Sequence, residues 1–321
     1  MTRRVQRGLV VALVGGGLLV GAVLPAAAQG DPVGGSGNHW YLAGAGNESG
    51  RATLDFTYGD PRDEVYFGDF VNAAGAFGGD GVDDAMVRRG NTFIIRGQAG
   101  RSFVYGDPGD TVLVGDWNGD GADTLAVRRG NRYFVKNDVS TGKADYEFVY
   151  GDPGDAVLVG DWDGDRRAEG LPPGVLDDTL AVRRGNHFFI KNTTTTGVAD
   201  YEFRFGDPGD TVLVGDWGWP PQYGDNPDTP ARETDHVLYP GASGDKADQL
   251  AIRRGNVYSL SEETFQALGY RNSVYAMGSM RSFAYGNPTD TAFSAQLSST
   301  YQDRGLTKTL TGDGLAVRRN G

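Results

Sequence analysis

The stretch from Gly106 to Asn131, GDPGDTVLVGDWNGDGADTLAVRRGN, recurs in edited form along the chain, and this repetition constrains the fold more than any other feature. Thr111 to Val114 is an apolar, β-branched run introduced by the turn Asp107-Pro108-Gly109-Asp110, so it reads as a buried strand. Thr124 to Arg128 reads as a second strand, with Leu125 and Val127 on one face. Between them, Asp116-Trp117-Asn118-Gly119-Asp120-Gly121-Ala122-Asp123 places short oxygen-bearing side chains two residues apart on a glycine-rich loop. A hard cation such as calcium takes about six to eight oxygens in tolerant geometry, so a hairpin with a metal loop at its tip is the first reading.

Two rulers count the copies. The Arg-Arg pair closes Met86–Asn91, Ala126–Asn131, Ala181–Asn186, Ala251–Asn256 and Ala316–Arg319, and an aromatic residue followed by Gly-Asp/Asn-Pro stands at Tyr58, Tyr105, Tyr150, Phe205 and Tyr285. Both rulers give five copies, with shortest spacings of 40 and 45 residues, the range in which four short strands form a propeller blade. In the third copy the four strands read as Ala156 to Trp162 (A), Thr179 to Arg184 (B), His187 to Asn192 (C) and Asp200 to Phe205 (D). The repeat begins at Gly37-Asn38-His39-Trp40-Tyr41-Leu42, a C strand, and stops after Ala316-Val317-Arg318-Arg319, a B strand. The two ends together make one blade, which leaves no sheet edge unpaired; the expectation is an all-β, five-bladed β-propeller of four-stranded blades closed by terminal strand pairing. An open β-solenoid of the same units is the alternative.

The first 28 residues stand outside this pattern. Arg3, Arg4 and Arg7 precede an uncharged apolar run from Gly8 to Leu24 and then Pro25-Ala26-Ala27-Ala28, the layout of an export signal cleaved after Ala28; a retained membrane anchor is the alternative. The expectation is a secreted, extracellular protein whose residues 29–321 form one domain, without membrane insertion after cleavage and acting as a monomer. A formal charge of −12, which grows more negative once three arginines leave with the signal, excludes nucleic acid and an anionic membrane as natural partners. The chain has no cysteine, so core packing, ring closure or metal must stabilise it in place of disulfides.

Departures from the repeat gather in the A to B connection: Val71 to Gly79 in the first copy, Arg166 to Leu176 in the third, Gly218 to Lys246 in the fourth and Ser298 to Thr311 in the fifth. In a repeat array such insertions share one face. A further excursion, Ser261 to Met280, is assigned to the fifth copy, with Glu262 to Leu268 as a possible short helix. The fourth insertion carries Trp219, Tyr223, His236 and Tyr239, aromatic and polar groups on a proline-stiffened loop that suit stacking on a sugar ring or anchoring a protein partner. Catalysis finds little support: His39 and His187 occupy equivalent strand positions, and no nucleophile accompanies His236. An acid precedes each B strand (Asp83, Asp123, Asp178, Asp248, Asp313), which suits a capping or inter-strand role as well as ligation. The Arg pairs suit either a ring reading acidic sugars or ion pairs with the Gly-Asp-Pro aspartates.

Gly115-Asp116-Trp117-Asn118-Gly119-Asp120-Gly121 followed by Leu125-Ala126-Val127 resembles the calcium loop and second strand of the FG-GAP or VCBS repeats of integrin α-chain propellers and of many secreted bacterial proteins. The resemblance implies calcium (Ca2+) at the tip of the A to B hairpin. Carried over residue by residue, it names Asp116, Asn118, Asp120 and, one position early, Asp123 in the second copy, and Asp161, Asp163, Asp165 and Asp178 in the third. The function it implies is a recognition module for an extracellular glycan or protein, with a polysaccharide hydrolase or lyase, or a structural cell-surface repeat, as alternatives.

Overall fold

A computed structural model of the protein describes residues 30–43, 52–98, 101–162, 177–215, 248–260, 281–303 and 306–320; for 260, 281–283, 297–303 and 306–313 the backbone alone is described. The expected signal, residues 1–28, lies outside them. The chain first lays down β1 (His39–Leu42) and β2 (Leu54–Thr57), then repeats one four-strand meander. Its copies are β3 (Glu64–Gly68), β4 (Asp84–Arg89), β5 (Thr92–Ile95) and β6 (Ser102–Val104); β7 (Thr111–Gly115), β8 (Thr124–Arg129), β9 (Arg132–Lys136) and β10 (Tyr146–Val149). They continue with β11 (Ala156–Gly160), β12 (Thr179–Arg184), β13 (His187–Lys191) and β14 (Tyr201–Arg204), and then β15 (Thr211–Gly215), β16 (Gln249–Arg254), β17 (Val257–Leu260) and β18 (Arg281–Ala284). β19 (Thr291–Asp303) and β20 (Leu306–Arg319) finish the chain.

Each meander is one antiparallel sheet, and the last sheet has the order β19-β20-β1-β2. Strands from opposite ends of the sequence pair there, His39 opposite Arg319 and Leu42 opposite Ala316. The A strands touch in a closed cycle, β3 to β7, β11, β15, β19 and back to β3. The architecture is therefore a five-bladed β-propeller, and no helix occurs among the described residues. Apolar residues are shared between blades: one cluster joins Leu113, Trp117, Tyr133 and Phe148 of the β7–β10 blade to Val157, Val159, Leu180 and Val182 of the next.

The repeat letters now have structural roles. At the end where the A strands finish, an aspartate of the following blade makes a two-way bridge: Asp178 donates its N–H to Asp116 O (2.7 Å) and takes the Asp116 N–H on Oδ2 (2.9 Å). Asp123 does the same with Asp69, Asp248 with Asp161, and Asp83 with Gln296 across the closing seam. This approach is why glycine ends β3, β7 and β11: a Cβ on Gly115 would lie 2.9 Å from Asp178 Oδ2 and from Val159 Cγ1, whereas alanine, Ala295, stands before the bridged Gln296 of β19. Asp313 would complete the set, but its side chain lies outside the described residues.

At the opposite end the first arginine of each pair reaches into the next blade. Arg128 donates to Asp155 O (2.8 Å) and Asp152 O (3.1 Å) in the turn leading into β11. Arg88, Arg183, Arg253 and Arg318 make the corresponding bonds, and each lies over an aromatic ring of its C strand. The second arginine stays in its own blade, as Arg129 does with Asp107 and Asp110 at 2.6 Å. Neighbouring residues of a strand point to opposite faces, so one dipeptide provides both contacts. Of the two readings of the Arg pairs, the geometry shows the ion pairs, with carbonyls of the next blade as further acceptors.

These pairs carry a pH prediction. Hydrogen bonds from Arg129, Arg184 and Arg254 hold the carboxyls of Asp110, Asp155 and Asp210 below the usual carboxylate range. A depressed folded pKa adds stability above the unfolded value, about 3.9, and that stability is lost as pH falls through the folded value. The triple variant Arg129→Ala, Arg184→Ala, Arg254→Ala should therefore be less stable than the parent in urea denaturation at neutral pH. The gap should shrink as pH falls below the unfolded carboxylate value of about 3.9 and through the lower folded values; a gap independent of pH would show that the arginines act by packing alone.

Two expectations need correction. Ser298 to Thr311 is not a loop: β19 and β20 stay paired from Thr291 opposite Arg318 out to Asp303 opposite Leu306, because the threonine- and serine-rich sequence prolongs the ladder. The excursion 261–280 joins β17 to β18, so it belongs to the fourth blade and not the fifth. Its possible helix, Glu262 to Leu268, lies outside the described residues.

Candidate functional site

The A to B connections all leave from the end of the ring held by the aspartate bridges. In the second blade, Asp116 stands just past β7, half-buried, with its N–H on Asp178. Its carboxylate accepts N–H groups from Asn118 (3.4 Å), Asp120 (3.2 Å) and Gly121 (2.7 Å), and Asp120 Oδ1 accepts the Ala122 N–H at 3.0 Å. Asn118 donates through Nδ2 to Asp120 Oδ2 at 3.0 Å, while its buried Oδ1 has no partner. Burial, then the nearby Asp120, push the Asp116 pKa up. No lysine or arginine pairs with Asp116 among the described residues.

Asp123 and Asp178 face the ring. Each gives Oδ2 to the neighbouring blade, and burial pushes Asp123 up to about 7 and Asp178 well above its ordinary value. Asp161 holds the equivalent position to Asp116 and bonds to Asp248, while Asp163 and Asp165 lie outside the described residues. Among the described residues no three His, Asp or Glu side chains converge closely enough to hold a metal. The loop of the second blade brings two carboxylates and one amide oxygen instead.

The first blade holds a relation that the spacing hides. Asp69 accepts N–H groups from Asp80 (2.9 Å on Oδ1) and Gly81 (2.6 Å on Oδ2), as Asp116 does from Asp120 and Gly121. The Val71 to Gly79 insertion folds back on itself, with Val71 paired to Phe77 and the Gly78 N–H on Phe70 O, so it adds a bump without parting the loop ends. Burial raises the pKa of Asp69, and it raises Asp84 to about 6.

Nearby, at the seam between the closing blade and the first, a cavity of about 140 Å3 is lined by Leu42, Phe56, Phe67, Asp83, Asp84 and Arg96. The Arg96 guanidinium lies 4.0 Å from the centre of the Phe56 ring. No repeat signal marks this site, because Phe56 and Arg96 come from different copies. Trp219, Tyr223, His236 and Tyr239 lie outside the described residues, although their segment leaves after Gly215 and returns at Asp248 on this same face. His39 and His187 pair with cross-strand carboxylates, Asp55 at 3.3 Å and Glu202 at 3.2 Å, as equivalent strand residues. Compared with family models, curated proteins and solved structures, the chain matches none.

Proposed function

We propose that the protein is a secreted, calcium-stabilised recognition module of FG-GAP or VCBS type that binds an extracellular glycan or protein through its A to B face. The observation that carries the reading is the Asp116 loop: alternating oxygen donors, a buried Asn118 Oδ1 without a partner, and negative charge without a basic neighbour. That donor set fits a hard cation. Asp116, Asn118 and Asp120 would hold calcium in the second blade, and Asp161, Asp163 and Asp165 in the third; bound calcium would supply positive charge and fix the loop. Asp123 and Asp178 support the loops through the ring. The binding surface would combine the 216–247 insertion, with Trp219, Tyr223, His236 and Tyr239, and the neighbouring loops of the same face.

Thermal unfolding with calcium, with magnesium and with a chelator tests the metal. A ligand that binds only the folded state at about 100 times its Kd adds about 2.7 kcal/mol, so the midpoint should climb with calcium and not with magnesium. Asp116→Asn should remove that climb. No shift at millimolar calcium would sink the metal reading. Glycan and protein arrays with the parent and Trp219→Ala test the surface, and turnover of any polysaccharide would overturn a purely binding role.

A further inference from the structure

Each D strand ends its sheet, so its outer side must be covered or left open. In the first blade the outward Val104 N–H goes to Thr141 Oγ1 (2.9 Å), on the connection between β9 and β10 of the second blade. In the second blade the outward Val149 N–H goes to Thr196 Oγ1 (3.0 Å), and the Val149 carbonyl accepts the Gly197 N–H (3.4 Å), both on the connection between β13 and β14 of the third. That connection also sets Thr194 Oγ1 3.1 Å from the Tyr146 hydroxyl. These blades thus cap the edge of the one before them. The segments that would cover β14 and β18 lie largely outside the described residues.

β2, the D strand of the closing blade, lacks such a cap. The Tyr58 N–H goes to Asn38 O on the β1 side (3.0 Å), so by alternation Asp55 and Thr57 turn their N–H and C=O groups outward. Among the described residues nothing bonds to those groups. The connection that would reach them, between β5 and β6, contains no serine or threonine and holds to its own blade. Gln98 bonds back to Ile95 O, Arg101 to Gln98 O, and the Arg101 guanidinium donates to Gly75 O (2.9 Å) beside the Phe77 ring. Leu54 takes the place that Tyr146 has in the second blade, and it is 49% exposed. Here lies the cavity of about 140 Å3, with Leu42, Leu54, Phe56, Asp83, Asp84 and Arg96 in its wall.

An open edge supplies main-chain bonds to an added strand, and an adjoining pocket supplies the choice of side chain. Asp84 takes the Val71 N–H on Oδ2 (2.9 Å); burial pushes its pKa up to about 6, and the charges acting on it, Asp69 and Asp80, are negative too. A lysine suits this cavity, because its stem can lie along Leu54 and Phe56 while its ammonium meets the acids. The Arg96 guanidinium rests on Phe56 without a hydrogen-bond acceptor among the described residues, which leaves it for a peptide carbonyl. A net charge of −12 favours a basic partner over a second copy of the chain. We propose that the outer edge of β2 and the cavity beside it form a docking site for an extended, basic peptide segment of another protein, which adds a fifth strand to the closing blade and seats a lysine side chain in the cavity. The site uses neither the Asp116 loop nor the 216–247 insertion, so it stands apart from the function proposed above.

The test titrates the full chain, in buffer containing a chelator, with acetyl-Thr-Val-Thr-Lys-Thr-Val-Thr-amide. Saturable binding with Kd below about 1 mM is the expected result. The same peptide with glutamate for lysine, or with alternate amides N-methylated, should bind at least about 10-fold more weakly. Thr57→Pro removes only an N–H that the blade leaves unused, at an edge where proline is tolerated. It should weaken binding by at least about 10-fold and leave the melting temperature nearly unchanged. Leu54→Tyr, which installs the residue of the second blade, should weaken binding by filling the cavity. No saturable binding, equal binding of the N-methylated peptide, or binding indifferent to both variants would overturn the proposal. So would a dimer in sedimentation that Thr57→Pro dissociates, which would give the edge to a second copy, or a glycan whose binding is lost in Leu54→Tyr alone, which would make the cavity a sugar site.

Discussion

Replacing Arg318 by alanine should lower the unfolding free energy by about 3–5 kcal/mol, whereas the same change at Arg319 should cost less than about 1 kcal/mol. The two are adjacent in β20 and alike in sequence, but their surroundings differ. Arg318 is 1% exposed and donates to Gly37 O (2.6 Å), Val33 O (2.9 Å), Gly34 O (3.2 Å) and Asp63 O (3.2 Å), with its guanidinium 5.0 Å from the Trp40 ring centre. One side chain thus joins the last strand, the segment Val33 to Gly37 ahead of β1, and the turn before β3. Alanine would leave these carbonyls without their donor at the one seam that the chain closes non-covalently. Arg319 meets buried Asp290 at a long 3.5 Å with its own side chain 44% exposed, and the Asp290 carboxylate keeps the Asn287 N–H at 2.9 Å when the arginine is removed. Urea denaturation of both variants, beside Arg318→Met to keep part of the buried stem, measures the difference. Equal losses at the two positions would sink this account of the closing blade.

Ring closure was legible because it needs only strand identity: Gly37 to Leu42 reads as a C strand and Ala316 to Arg319 as a B strand, and β1 pairs with β20 accordingly. The strands of the third copy were likewise legible, since the apolar run Leu180 to Val182, the alternation at the start of β13 and the Gly-Asn turn between them mark β12 and β13. What the sequence could not separate is partner choice. Arg128 and Arg129 form one motif, yet one serves the next blade and the other its own, a distinction set by side-chain alternation within a packed ring. Linear spacing sets Asp69 and Asp80 apart and does not show that the insertion between them pinches shut between Val71 and Phe77. Residues 30–36 belong to no copy, so no periodicity could place Gly30 against β7 or Val33 against β3 and Arg318. The candidate site was legible at Asp116, Asn118 and Asp120, where the oxygens are local. The Phe56–Arg96 cavity was not, because only the seam brings those residues together.

Asp178→Ala should cost about 1–3 kcal/mol, and Asp178→Asn no more than about 1 kcal/mol. Asp178 is 8% exposed, and its Oδ2 is the acceptor for the Asp116 N–H. Alanine removes that acceptor and leaves the amide unsatisfied where β7 ends, while asparagine retains an oxygen there and relieves the repulsion from Asp123 that helps raise the Asp178 pKa after burial itself. The bridge also holds the first residue of the proposed calcium loop, so Asp178→Ala should blunt the calcium-dependent rise in melting temperature as well as lower the starting value. Asp83→Ala is the matched control: it breaks the same kind of bridge, to Gln296, at a seam away from the Asp116 loop. It should lower stability and leave the calcium response intact. If both alanine variants weakened the calcium response equally, the loop would be sensing overall stability and not the position of Asp116. If neither did, the inter-blade bridge and the metal loop would be mechanically independent despite sharing a residue.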